Sequence, residues 1–194
     1  MSRMSISYEI YSLQAREDRI GIMEQVVMLS ADDAAKHLPE FIDLLRDSVE
    51  NGGSIGFVIP MELKVAESFW LGVFEDVQTG NRKLLAILSD QGVASRSPAE
   101  TSYITHRAEV QKLLVHSSKR KNGLGSRLME AVEDLARKEN RRLLVLDTIE
   151  ENIKFYQRLK WNLVGEIPEF ALSPYGTDRD ADSTYVFYKL LRDA

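Results

Sequence analysis

Arg120-Lys121-Asn122-Gly123-Leu124-Gly125-Ser126 follows a strand-like run, Val110 to Val115, and opens a helix-like run, Leu124 to Glu139. Its residue types suit the binding of an anion. The first turn of a helix carries backbone N–H groups with no intrahelical partner, and their dipoles favour negative charge. Glycine lets a bulky phosphate come close to that backbone. The spacing is not a dinucleotide fingerprint, because Leu128 stands where a third glycine belongs. It is not a Walker A loop either, because no Lys-Ser/Thr pair follows the second glycine. What remains is a basic residue three before the first glycine, a second glycine, and Ser126 at the turn, which reads as a pyrophosphate cradle.

The elements that must hold this cradle follow from periodicity. Residues 1–20 carry mixed charge and read as an extension, with an edge strand at Ile6–Ser12; residues 21–194 read as one domain. Met23 to Leu29 reads as a short strand. Ser30-Ala31-Asp32-Asp33 reads as a helix cap with acids in the first turn. Leu38, Phe41, Ile42, Leu44, Leu45 and Val49 form a helical stripe that starts near Pro39 and stops at Asn51-Gly52-Gly53. Met61 to Val77 reads as a second amphipathic helix, with Val65, Phe69, Trp70 and Val73 on one side. Strands are expected at Lys83–Leu88 and Tyr103–Val115, with a weak, Pro98-containing one over Val93–Ser102. In the helix 124–139, Leu124, Leu128, Val132 and Leu135 share a face; the other face pairs Glu133 with Arg137 and Asp134 with Lys138. Leu143–Leu146 reads as a buried strand and Asn152–Lys160 as a short helix. Leu163–Ile167 and Tyr185–Leu190 read as closing strands, with a polar loop, Pro168–Ser183, between them. This order predicts an α/β or α+β domain.

Composition excludes several function classes. The 194 residues are enough for one domain with a core. A net charge of −5 disfavours a nucleic-acid partner, for which a basic footprint is expected. No cysteine is present, which removes disulfides, thiolate metal sites and a cysteine nucleophile. His37, His106 and His116 lack metal-ligand spacing, and no metal is expected. No apolar run approaches a membrane span of about 18 residues, so no membrane partner is expected and the cytoplasm is the default. The acidic run of Asp178, Asp180 and Asp182 reads as a solvated loop able to steer a cation.

The run Arg107-Ala108-Glu109-Val110-Gln111-Lys112-Leu113-Leu114-Val115 followed by Arg120-x-x-Gly123-x-Gly125-x-x-Leu128 resembles the central motif of the GNAT superfamily of acetyl-CoA-dependent N-acetyltransferases. Leu146-Asp147-Thr148, Phe155-Tyr156 and Val164-Gly165-Glu166-Ile167-Pro168 resemble its second motif. Within the superfamily, the chain is most similar to the tabtoxin resistance acetyltransferase group. That similarity takes in Gly52 to Phe57 and Pro174-Tyr175-Gly176. The resemblance implies a mixed, mostly antiparallel α/β (α+β) sheet, with two parallel central strands splayed apart and helices on both faces.

It also implies a site. The pantetheine arm of acetyl-CoA would lie against backbone near Leu113 and Val115. Its phosphates would meet Arg120, Lys121 and the N–H groups of Asn122, Gly123, Leu124, Gly125 and Ser126. Glu109 would accept a proton from the amine, directly or through water. The Leu114 N–H would face the carbonyl oxygen, and Tyr156 would protonate the departing thiolate. Lys160-Trp161 stands where the family has a glycine-aromatic pair, so the lysine is expected to need a different helix cap.

The reading is an acetyl-CoA-dependent N-acetyltransferase acting on a primary amine of a small, amino-acid-like or antimetabolite molecule, as a monomer or homodimer. Two alternatives stay open: an enzyme that acetylates a protein or peptide amine, and a non-catalytic acyl-CoA-binding module.

Overall fold

The computed structural model describes residues 7–12, 25–52, 56–57, 59–88, 106–172 and 181–191. Among these residues one mixed sheet runs in the order β2-β3-β1-β4-β5-β7-β6. Its strands are β1 (Ser7–Ser12), β2 (Gln25–Leu29), β3 (Arg82–Leu88), β4 (Arg107–Val115), β5 (Leu143–Thr148), β6 (Asn162–Leu172) and β7 (Ala181–Leu190). Five α-helices flank it: α1 (Ala31–Ala35), α2 (Leu38–Glu50), α3 (Leu63–Gln78), α4 (Leu124–Lys138) and α5 (Ile153–Arg158). The helices divide between the two faces. One core packs α4 and α5, through Leu124, Leu128, Val132 and Tyr156, onto Leu85, Ala108, Val110 and Leu144. The other packs α1, α2 and α3, through Phe41, Leu45, Trp70 and Phe74, onto Leu84, Ala86 and Leu114.

The helices begin and end where local chemistry allows. Ser30 caps α1 by accepting from the Asp33 N–H at 3.1 Å, as its sequence suggests. The buried stripe of α3 is Ala66, Trp70, Val73 and Phe74, while Val65, expected inside, is exposed. Trp70 fixes that rotation: it packs tilted against Phe41 at 4.6 Å and edge-on against Phe69 at 5.1 Å between ring centroids. Lys160 caps α5 without a glycine, itself adopting φ 60. The Trp161 N–H reaches the Tyr156 carbonyl at 3.1 Å and the Lys160 N–H reaches Gln157 at 2.9 Å, the paired bonds of a Schellman motif.

Four further expectations are corrected. The N-terminal strand is interior, not at an edge: β1 lies between β3 and β4, parallel to both. Parallel pairs therefore equal antiparallel ones in number. Glu133 is not on the solvated face of α4. It is buried; it keeps the expected pair with Arg137, Nη2 to Oε2 at 3.5 Å, while its Oε1 accepts from Lys189 Nζ at 2.6 Å and Trp161 Nε1 at 3.1 Å, joining α4 to β7 and to the end of α5. Asp134 pairs with Arg137 at 3.0 Å and not with Lys138. The stretch expected as a loop from Pro168 is strand as far as Leu172, and Ala181 to Ser183 already belong to β7. Pro168 is tolerated because β6 is an edge strand whose register shifts between Ile167 and Ala171. Val93–Ser102 and Pro174-Tyr175-Gly176 lie outside the described residues.

Candidate active site

Strands β4 and β5 pair only over Arg107–Glu109 and Leu143–Val145. Beyond that point β4 stays paired with β1 and β5 with β7. The two strands therefore part in the middle of the sheet. From Val110 onward, the backbone groups of β4 on its β5 side have no ladder partner there, because a strand in a sheet uses groups on both flanks. Leu113, Leu114 and Val115 lie along this free edge. A bulge falls just before them. The register with β1 slips between Glu9 and Ile10, opposite Lys112, whose φ is 51. An extra residue at a bulge turns the strand. Thus Ala108 and Val110 pack in the α4 core before it, and Leu113 packs against that core after it.

The strand leads into the cradle through a one-turn 3-10 segment, Ser117–Lys119. Gly123 is the N-cap of α4 with φ 80, a left-handed conformation that costs a side-chain-bearing residue about 1–2 kcal/mol. No side chain caps α4, and its first turn holds no acidic residue. The early N–H groups, those of Leu124, Gly125 and Ser126, are thus uncompensated by a carboxylate or hydroxyl. Gly125 serves packing: a Cβ there would lie 3.4 Å from Phe155 Cζ and 3.9 Å from Leu113 Cδ2. Lys121 (φ 66) and Asn122 are exposed. Arg120 is also exposed. It folds back, giving its Nε–H to the Val115 carbonyl at 3.1 Å and an Nη1–H to the Asn51 carbonyl at 3.3 Å. A guanidinium has five N–H donors, so this anchoring leaves others for an anion.

Glu109 is the last residue of β4 paired to β5, at the vertex of the opening. It is half-buried, and Gln111 Nε2 donates to its Oε1 at 2.9 Å. Arg82, two strands away across Ser7, lies close enough for the Glu109 charge to act on it; burial pushes the Arg82 guanidinium down, and Glu109 opposes that. Tyr156 is buried in the α4 core against Phe187, with ring centroids 5.6 Å apart. Burial raises its phenol above the usual tyrosine range, outweighing a hydrogen bond from the Thr148 side chain. A tyrosine so placed is neutral at physiological pH.

Three features here had little signal in the sequence. The bulge at Lys112 uses a residue with no preference for positive φ. The approach of Phe155 to Gly125 joins two elements through space. The anchoring of the cradle to α2 spans about seventy residues and is taken up below. Among the described residues, no group of three or more His, Asp or Glu is placed to hold a metal ion, and no helix is long and apolar enough to cross a membrane.

Residues 92–161, from ahead of β4 to the end of α5, match the Acetyltransferase (GNAT) family. That stretch, less than half of the chain, carries the pattern of a GNAT-type acetyltransferase. The chain's structure is similar to that of an N-acetyltransferase from Staphylococcus aureus Mu50, at 16% identity and a TM-score of 0.63, covering 87% of this chain and 99% of that one. It is similar to the yncA protein of Salmonella typhimurium, determined with its cofactor acetyl-CoA, at 14% identity and a TM-score of 0.63, covering 89% and 96%. It is also similar to ribosomal-protein-alanine N-acetyltransferase from Brucella melitensis, at 15% identity and a TM-score of 0.62, covering 86% and 99%. At such identities the structural likeness speaks for the fold alone.

Proposed function

We propose that this chain transfers the acetyl group of acetyl-CoA to a primary amine of a small, amino-acid-like or antimetabolite molecule. The observation that carries the proposal is the parted strand edge of β4 leading into an uncapped helix N-terminus behind Lys119, Arg120 and Lys121. An elongated ligand with an amide-rich arm and a phosphate end fits that arrangement: the edge offers hydrogen bonds to amides, and the cradle offers N–H groups and cations to phosphates. The backbone of Leu113 to Val115 would hold the arm. Arg120, Lys121 and the N–H groups from Asn122 to Ser126 would hold the phosphates.

Acetyl-CoA supplies the activated acetyl thioester. The protein must supply three other things. An ammonium is no nucleophile, so its proton must go to a base. Glu109, at the vertex and held by Gln111, takes it directly or through one water. The carbonyl oxygen gains charge as the amine adds, and the Leu114 N–H is the donor proposed to meet it. The departing sulfur needs a proton, which Tyr156 gives from a phenol that burial keeps protonated. A thiol with an ordinary pKa of about 8.5 is already a fair leaving group, so Tyr156 contributes less than Glu109.

A protein or peptide amine is the second reading. Two observations favour it. The loop expected to cover a small-molecule pocket shrinks once β6 and β7 extend to Leu172 and Ala181. One structural relative also carries a protein substrate in its name. A thiol-release screen over small amines, amino acids and peptides separates the two readings. Acetyl-CoA and CoA should also raise the melting temperature, whereas NAD and ATP should not. A clear shift with ATP and none with CoA would overturn the assignment. Stabilisation by CoA without amine-dependent thiol release would leave a non-catalytic acyl-CoA-binding module.

A further inference from the structure

The cradle is held from a distance by the last turns of α2. The Asp47 carboxylate is 11% exposed, and both its oxygens are engaged. Oδ2 accepts from the Ser117 backbone N–H at 2.7 Å, and Oδ1 accepts from the Ser117 hydroxyl at 2.6 Å. Asn51 Nδ2 donates to Oδ1 at 3.1 Å. His116 Nε2 lies 3.6 Å from Asp47 and 3.5 Å from Asp43, and the other ring nitrogen meets the Ser118 hydroxyl at 2.9 Å. One turn further along α2, the Asn51 carbonyl accepts from Arg120. The segment from Ser117 to Arg120, which launches the anion loop, is thus fastened at both ends to one helix end.

The chemistry of this junction differs from an ordinary surface contact. A carboxylate that takes two hydrogen bonds from one residue fixes that residue's position and orientation together, and bonds to a charged acceptor are the stronger kind. Without them, Lys119 and Arg120 would hang from the end of β4 by a single turn of 3-10 helix. Fixing Ser117 also fixes where Arg120 starts, and Arg120 in turn reaches Val115 and Asn51.

We propose that Asp47, through Ser117, is a positioning residue for the phosphate-binding loop, so that α2 sets acetyl-CoA affinity without touching the cosubstrate. The proposal rests on the cosubstrate assignment above. It also links the two layers of the domain. α2 belongs to the layer on the Glu109 side of the sheet, and the loop it fastens leads into α4 on the other.

The test compares wild type with Asp47→Asn, Ser117→Ala, Asp47→Asn/Ser117→Ala and Asp43→Asn, in the full chain. CoA affinity is measured by calorimetry, and KM and kcat for acetyl-CoA are measured at saturating amine. Asp47→Asn keeps the shape but places an amide N–H against a donor. It should raise the CoA Kd and the acetyl-CoA KM about tenfold, the weight of one charge-assisted hydrogen bond, with kcat at saturation within about twofold of wild type. Ser117→Ala should raise both constants less, and the double variant should be no worse than Asp47→Asn alone, because the two residues share one interaction. Asp43 is 66% exposed and meets His116 rather than Ser117, so Asp43→Asn should leave both constants unchanged. A lower melting temperature with an unchanged CoA Kd would overturn the proposal, since that is what a purely structural contact gives. A fall in kcat with unchanged KM would overturn it too. If Asp47→Asn fails to fold, Ser117→Ala carries the same test, because it keeps the backbone bond. Wild type that does not bind CoA at all would overturn the cosubstrate assignment itself, and this would show before any variant is made.

Discussion

The two glycines of the cradle should respond to substitution in different ways, because the structure uses them for different reasons. Gly123 needs its backbone: φ is 80, and a Cβ added there meets nothing within 4 Å. Gly123→Ala therefore brings no clash, only the left-handed penalty of about 1–2 kcal/mol. In a domain of this size about 1 kcal/mol moves the melting temperature by about 2–4 °C, so a drop of roughly 2–8 °C is expected. Gly125 needs space. Its φ is ordinary, and an added Cβ would sit 3.4 Å from Phe155, which is normal contact. Gly125→Ala should then be neutral or stabilising by up to about 1 kcal/mol through helix propensity. Gly125→Val pushes two further carbons at Phe155 and Leu113 and should cost about 1–3 kcal/mol.

Binding should follow geometry and not stability alone. If Gly123→Ala relaxes toward negative φ, the Leu124, Gly125 and Ser126 N–H groups turn away from their common focus. Losing one hydrogen bond to a charged phosphate is worth about 1.5–3 kcal/mol, or tenfold or more in Kd. Gly125→Ala should bind CoA within about threefold of wild type, since the new methyl faces Phe155 and its helix N–H groups stay put. Scanning fluorimetry and calorimetry with CoA on the three variants check the order. The reasoning fails if Gly123→Ala matches wild type in both measurements, or if Gly125→Ala abolishes binding while Gly123→Ala does not.

Glu109→Gln should lower kcat at neutral pH by about 10²–10⁴-fold and recover as pH approaches the amine's own pKa, where the base is no longer needed; a flat loss across pH would mean a structural role. Tyr156→Phe should lower turnover less, with little recovery at high pH. Tyr156 also predicts an alkaline effect on stability. Its folded pKa is raised above the ordinary 10.0, so the folded state holds this proton after the unfolded chain has released it. Its contribution is fully present below about pH 10 and is lost as pH rises beyond that. Tyr156→Phe should therefore flatten the alkaline decline of the melting temperature, and an unchanged slope would refute the burial argument. Lys189→Met removes the 2.6 Å partner of the buried Glu133 carboxylate but leaves Arg137 at 3.5 Å and the Trp161 N–H at 3.1 Å, so it should cost about 1.5–3 kcal/mol, the weight of one charge-assisted hydrogen bond; chemical denaturation of the variant checks this.

The glycine turn that opens α4 was legible in the sequence because its signals are local. Two glycines, adjacent cations and an immediate helical stripe sit within one short run, and each signals by residue type. The helices α2 and α4 were legible for the same reason, through stripes that end at Asn51 and Glu139. What the sequence hid depends on partners far along the chain. The stripe of α3 rotates to bury Ala66 and Phe74 because Trp70 seats against Phe41 of α2. Glu133 does pair with Arg137, at 3.5 Å, but Lys189 and Trp161 also arrive from β7 and the end of α5 and bury it, which nothing local announces. Lys160 reads as a poor helix stop, but Trp161, anchored by Glu133, holds the chain in place while the lysine takes φ 60. The interior position of β1 had no signal either, because alternation tells which face a strand buries and not which strands flank it.

The geometry also bears on how one opening could serve both ends of the reaction. Ala108 and Val110 point into the α4 core, so Glu109 between them points the other way, toward the layer of α1, α2 and α3. Tyr156 belongs to the α4 core. The proposed base and the proposed acid thus approach from opposite faces of the sheet. In a continuous sheet they could not serve one carbonyl carbon, because a paired backbone would lie between them. They can do so only where the sheet is open, and the pairing of β4 with β5 ends at Glu109 itself. This suits acyl transfer, in which the bond to nitrogen forms on one side of the carbon while the bond to sulfur breaks on another. An amine entering beside Glu109 and a sulfur leaving toward Tyr156 would not compete for space. On this view the bulge at Lys112 has a role as well: by turning the strand just past the vertex, it brings Leu113 to the Tyr156 side and Leu114 to the Glu109 side within two residues. The backbone between them can then face the opening.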